Sequence, residues 1–185
     1  FPDNKYKLHA CCHGLHPMIE ALQASEAVAG VPLDDIKSFS LSTNPRWLAV
    51  CDIKRPRTGL EVKFSYNWLA GMTLRGDNTG DDRLFTDTIA GEAELGRFAE
   101  RISVTGDDQL TDLQARGEIS LTDGRAIPVW FDLADPFAPE VLAEKLQRKS
   151  STIIGEAGAA IWNLHPRLGQ LGARDIASAM LAASA

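Results

Sequence analysis

The sequence predicts an α+β fold: a small mixed or antiparallel sheet with a β-hairpin, packed against two main helices, followed by further helices at the C-terminal end. Three observations carry that expectation. Two stretches with apolar residues at every second position flank Asp123-Gly124, a strong hairpin signal. A helical spacing of apolar residues follows a capped start at Thr58. Alanine-rich helical stretches close the chain.

Taken in order, Ile19, Leu22 and Val28 recur near helical spacing, with Ala21, Ala24 and Ala27 between them. Pro17 fits the first helical position, so the segment Cys12 to His16 is expected to end at a helix N-terminus. Ile36 to Thr43 alternates and predicts a strand that stops at Asn44-Pro45. Arg46 to Cys51 fits a short helix or an irregular buried segment equally well. Lys54-Arg55-Pro56-Arg57 forms a basic loop, because the proline blocks a helix through it.

Thr58 and Glu61 have the spacing of a capping box. The helix they open is expected to turn Leu60, Phe64, Trp68, Leu69 and Met72 towards a core and to end near Gly76. Residues 83–99 predict two short helices broken by Gly91 and Gly96. Ile102 to Thr105 predicts a short strand. The hairpin follows, with Leu113, Ala115, Gly117, Ile119 and Leu121 sharing one face of one arm and Ile127, Val129, Phe131 and Leu133 that of the other. Pro139 to Lys149, Gly155 to Leu164 and Ala173 to Ala183 predict helices, the last two more apolar than a small domain needs by itself. They are expected to cover a partner or a domain outside this sequence.

With 185 residues, 44% hydrophobic and 24% charged, the chain can bury one well-packed core. A formal charge of −6 implies no broad basic surface and argues against nucleic-acid binding. The sequence holds no apolar run long enough to span a membrane. Three cysteines, two of them adjacent, do not form a disulfide framework and fit a reducing cytoplasm. The chain begins at Phe1 and runs at once into a motif-rich stretch, which predicts a piece of a longer protein.

That stretch, Lys5 to Pro17, holds His9, His13, His16, Cys11, Cys12, Lys5 and Lys7. Its nitrogen and sulfur atoms are of the kind that bind zinc, yet no second Cys or His cluster completes a tetrahedral set, so no metal is expected. Cys12, near a helix start and next to His13, has the surroundings of an activated thiol, and buried structural cysteines are the commoner alternative. A third reading joins Lys7 and His13 to the basic loop of Lys54, Arg55 and Arg57. Two helix starts carrying positive charge would suit a di- or tricarboxylate through charge-assisted hydrogen bonds. Lys63 and Tyr66 lie on the second helix and are candidate substrate contacts, as are His16, Arg55 and Arg57.

The run Lys7-Leu8-His9-Ala10-Cys11-Cys12-His13-Gly14-Leu15-His16-Pro17 resembles a signature segment of the MmgE/PrpD family. That family includes 2-methylcitrate dehydratase, cis-aconitate decarboxylase and iminodisuccinate epimerase. Pro56-Arg57-Thr58-Gly59-Leu60-Glu61-Val62-Lys63-Phe64-Ser65 is similar to its second signature. The hairpin, Asp135-Pro136 and the helix after Pro139 look like its closing segment.

The resemblance implies a C-terminal lid over residues 1–150, and helices over 151–185 that return to an N-terminal all-helical domain of the same protein. It implies a cofactor-independent lyase or isomerase, a homodimer, acting on a small polycarboxylate. The shared step of the family moves a proton, or loses carboxylate, next to a carboxyl group. By position, Lys7 matches an active-site lysine. Cys12 falls where decarboxylase-type members carry histidine, and Trp68 falls near a tyrosine of other members. Lys7, Cys12 and His13 are therefore the expected catalytic residues. The competing expectation is a non-catalytic module that binds an anion or a metal through its His/Cys cluster.

Overall fold

The computed structural model describes residues 6–183. The chain divides into two compact units, Phe1–Pro136 and Phe137–Ala185. The junction expected near residue 150 falls inside a helix that runs from Pro139 to Ile154.

The fold class is α+β, as expected. In the first unit, helix α1 (His16–Ala24) leads through a turn to strand β1 (Ile36–Thr43). Five helices follow: α2 (Pro45–Cys51), α3 (Gly59–Val62), α4 (Tyr66–Arg75), α5 (Asp87–Ala90) and α6 (Ala93–Ala99). Strands β2 (Ile102–Gly106), β3 (Gln114–Leu121) and β4 (Ala126–Asp132) complete a mixed sheet of order β2-β1-β3-β4. β1 runs parallel to β2, and the hairpin pairs antiparallel alongside β1. Helix α1 lies on β3 and β4 and touches α4.

The alternation that predicts β1 holds through Phe39, Leu41 and Thr43, all buried. Ile36 is buried too because a register shift between Ile36 and Ser38 moves its side chain onto the same face. The hairpin buries Ala115, Ile119, Leu121, Ile127 and Val129 beneath α1, with the turn at Asp123-Gly124.

Two local expectations need correction. The helix foreseen from Thr58 to Gly76 is two helices. Thr58 accepts from the Glu61 amide and caps α3, then Ser65 accepts from the Trp68 amide and caps α4. The second cap breaks the run, and Leu60 ends 68% exposed instead of in the core. Gly76 stops α4 in a left-handed conformation, as foreseen. Gly96 lies within α6 and does not interrupt it. Arg46 to Cys51, undecided in the sequence, is helical because Asn44 caps it and Pro45 suits its first turn.

The second unit holds α7 (Pro139–Ile154), α8 (Glu156–Trp162) and α9 (Ala173–Ala183). No residue of α7 is buried, and Ile153, Ile154, Leu168, Met180 and Leu181 are exposed. Among the described residues no helix is long and apolar enough to cross a membrane.

Candidate functional site

The segment from His9 to His16 is held in place through its backbone by hydrogen bonds with Thr79, Lys63 and Tyr66. The Ala10 amide donates to the Thr79 carbonyl at 2.8 Å, and the Cys12 amide donates to the Lys63 carbonyl at 3.0 Å. Cys12 then opens a 3-10 turn, His13–Leu15, that runs straight into α1 with Pro17 in its first turn. The phenol of Tyr66 donates to the Gly14 carbonyl at 2.9 Å and lies 3.0 Å from the Thr43 hydroxyl. Gly14 has no alternative: a Cβ there would stand 2.3 Å from Trp47 Cδ2. The indole of Trp47 is fixed in turn, its N–H donating to the Asp112 carbonyl at 2.8 Å.

Within this frame the imidazoles form a row. His9 is 5% exposed, with Nδ1 2.7 Å from Thr79 Oγ1 and Nε2 3.1 Å from Glu20 Oε1. Glu20, on α1, is 2% exposed. A carboxylate so deep is tolerable only with a charged or hydrogen-bonding partner, and His9 is that partner. The His16 ring meets His9 edge-on at 4.9 Å between centroids and lies 4.8 Å from the ring of His13. His16 is buried, whereas His13 is only half-buried. The row therefore leads from a buried carboxylate to a half-buried imidazole. Such packing orients the terminal imidazole.

The cysteines converge on the same region. Cys11 and Cys51 are buried and Cys12 is half-buried. Burial, and then the hydrogen bond to the Cys12 side chain, push the Cys51 thiol well above its ordinary range. Cys51 thus stays a thiol, and Cys12 is the sulfur nearer to solvent. Burial likewise pushes up the Tyr66 phenol, against a smaller opposing effect from its bond to Thr43.

The expected site residues divide into three groups. Cys12, His13, His16 and Tyr66 come together, joined through Gly14, and Lys63 reaches them through its backbone. Its ammonium lies 5.0 Å from the centre of the Phe85 ring. Tyr66 is fully buried and props the segment from below. Lys7 is exposed in the irregular residues that lead into His9. Arg55 and Arg57 are exposed as well, Arg55 3.8 Å from Glu100 and Arg57 3.7 Å from Glu61. Arg57 also donates its amide to Glu61 Oε2 at 2.6 Å, so Glu61 completes the cap one residue before Thr58.

Sequence reasoning missed Glu20 and Thr79. The available signal for Glu20 was a lone charge between Ile19 and Ala21-Leu22 on the face that packs inward. Among the described residues no three His, Cys, Asp or Glu side chains are placed to hold a metal ion.

Comparison with curated proteins returns no match. The model of the MmgE/PrpD C-terminal domain matches residues 9–164, from the first imidazole of the row to the end of the α8 region. Lys7 lies just outside that span. The match covers the second signature stretch, the first from His9 onward and most of the chain, and by it this protein belongs to the MmgE/PrpD family, as a C-terminal domain.

Proposed function

We propose that this chain forms one wall of the active site of an enzyme that moves a proton next to a carboxyl group of a small di- or tricarboxylate. Iminodisuccinate-type epimerisation and 2-methylcitrate-type dehydration are the two reactions that fit. Family membership supports the general reading. The observation that carries the site is the Glu20–His9–His16–His13 row, anchored on a buried carboxylate and ending beside Cys12.

In this reading His13 takes or returns the proton, contributing the factor of about 10²–10⁴ usual for a positioned acid/base. Cys12 is the second proton carrier where the reaction inverts a carbon. Lys7 places a cation against the enolate-like charge that develops on the substrate. Lys63, Arg55 and Arg57 offer cations to the remaining carboxyl groups. His16 and Tyr66 act as positioning residues, His16 within the row and Tyr66 under Gly14. No metal or organic cofactor takes part.

The exposed apolar side chains of α7 to α9 support a covering domain. Ile154, Ile161, Trp162, Leu168, Ile176 and Met180 line an apolar groove of about 200 Å³. In this reading the partner is an N-terminal helical domain of the same protein, which supplies further catalytic groups. The whole works as a cytoplasmic homodimer.

A polycarboxylate screen on the full-length protein tests the proposal. Double-bond formation is followed by absorbance and inversion by chiral separation. Turnover of a hydroxy- or imino-polycarboxylate is the expected result; no turnover of any member, with the protein folded, would overturn it.

A further inference from the structure

Cys12 and Cys51 belong to different elements, and the fold brings their sulfurs together. Cys12 opens the 3-10 turn before α1, and Cys51 is the last residue of α2. Both are tied to the same short stretch, Lys63 to Ser65. The Cys12 amide donates to the Lys63 carbonyl at 3.0 Å, and the Ile53 amide donates to the Phe64 carbonyl at 3.2 Å. Asp52, next to Cys51, pairs with Ser65 in an isolated antiparallel bridge. Helix α2 also packs on the turn His13–Leu15, so closely that Trp47 fills the space of a side chain at Gly14. The Cys51 thiol is hydrogen-bonded to the Cys12 side chain. Two cysteines can be bridged without moving the backbone only where their side chains meet.

The two sulfurs differ in access. Cys12 is half-buried, whereas Cys51 is fully buried in the core. A small oxidant therefore reaches Cys12 first. Burial holds the Cys51 thiol protonated, followed by its hydrogen bond to Cys12 and by the charges of Cys12, Cys11 and Asp52. Two of these influences come from Cys12 itself. Oxidation turns Cys12 into a neutral sulfenic acid, which relieves both and leaves Cys51 facing an electrophilic sulfur.

We propose that Cys12 and Cys51 form a reversible disulfide when the protein meets a peroxide, with Cys12 the sulfur oxidised first and Cys51 the resolving thiol. In the first step the Cys12 sulfur attacks the peroxide. Its S–O bond forms, the O–O bond breaks, sulfur is oxidised and the peroxide is reduced. The second peroxide oxygen leaves as water or an alcohol with the Cys12 proton. The Cys51 sulfur then attacks the sulfenic sulfur. The S–S bond forms, the S–O bond breaks, and the hydroxyl leaves as water with the Cys51 proton. Exchange with a small thiol reverses the bond, so that in a reducing compartment it is transient. The bond takes the Cys12 thiol away from His13 and His16 and so acts as a switch on that group. The pairing stands whether or not the reaction proposed above holds, because it is read by mass and not by turnover.

Peptide mapping of the full-length protein tests the pairing. The reduced, native protein is treated with hydrogen peroxide and then catalase, its remaining thiols are alkylated in denaturant, and it is digested with trypsin without reductant. The expected product joins residues 8–37, which carry Cys11 and Cys12, to residues 47–54, which carry Cys51. Its mass is that of the two peptides less two hydrogens, and dithiothreitol separates them. Cys12→Ser, at a half-buried position, should abolish the joined peptide and leave the far-UV circular dichroism unchanged. The unaltered protein decides the case even if that variant misfolds. A sulfenic acid at Cys12 trapped by dimedone with no joined peptide, both thiols left unoxidised, or a joined peptide that persists in Cys12→Ser would each overturn the proposal.

Discussion

His9 bridges Glu20 and Thr79: one ring nitrogen stands 3.1 Å from the buried Glu20 carboxylate and the other 2.7 Å from the Thr79 hydroxyl. Both ring nitrogens are used, so neither the position nor the orientation of the imidazole is free. The bridge ties the segment before α1, α1 itself and the loop after α4 into one unit. Removing the ring leaves the carboxylate of Glu20 buried without the imidazole that faces it. His9→Ala should therefore destabilise the protein by about 3–5 kcal/mol, and Glu20→Gln by less, since the amide is uncharged. Chemical denaturation of the two variants reads the difference. A loss in His9→Ala no larger than in an exposed substitution would reject the bridge.

Gly14 and Trp47 are a second fixed pair, since the indole occupies the space of a side chain at Gly14. Gly14→Ala should cost about 1–3 kcal/mol through overpacking. Trimming the indole makes room, so the cost should shrink in a Trp47→Leu background, giving a clear coupling energy in a double-mutant cycle. Additive losses would mean that the two do not meet.

The thiols give a prediction about pH. The folded state holds Cys51 in its protonated form well above the range where an unfolded cysteine ionises. The sign follows. At neutral pH the thiol is protonated in both states and contributes nothing. As pH rises through the unfolded value, the unfolded chain releases this proton and the folded one does not, so stability falls on the alkaline side. In native protein near pH 8, iodoacetamide should label Cys12 before Cys51, with Cys51 reacting only after denaturation. Mass spectrometry of the tryptic peptides decides, and early labelling of Cys51 would contradict the burial argument.

Much of the fold was legible because local signals and long-range packing agree. Asp123-Gly124 between two period-two arms leaves few alternatives to a hairpin, and Pro17 and Gly76 mark helix ends by backbone chemistry alone. The stretch after Thr58 was misread because its apolar spacing continues across a break. Ser65 caps a new helix there, a local hydrogen bond that periodicity does not register. The site was legible in part. His13, Cys12 and His16 lie close in sequence and stay together in space. Cys51 and Thr79 join them only through the fold, and Tyr66 looks like a ligand contact until its phenol is seen bonded to Gly14 and Thr43.

The central claim is proton transfer at His13, and hydrogen exchange at the substrate carbon tests it most directly. The full-length protein is incubated in D2O with the polycarboxylate it turns over. Proton NMR then follows loss of the signal at the carbon beside the carboxyl group. In His13→Asn the exchange rate should fall by about 100-fold or more with unfolding stability nearly unchanged. Exchange at the unaltered rate in His13→Asn would contradict the account.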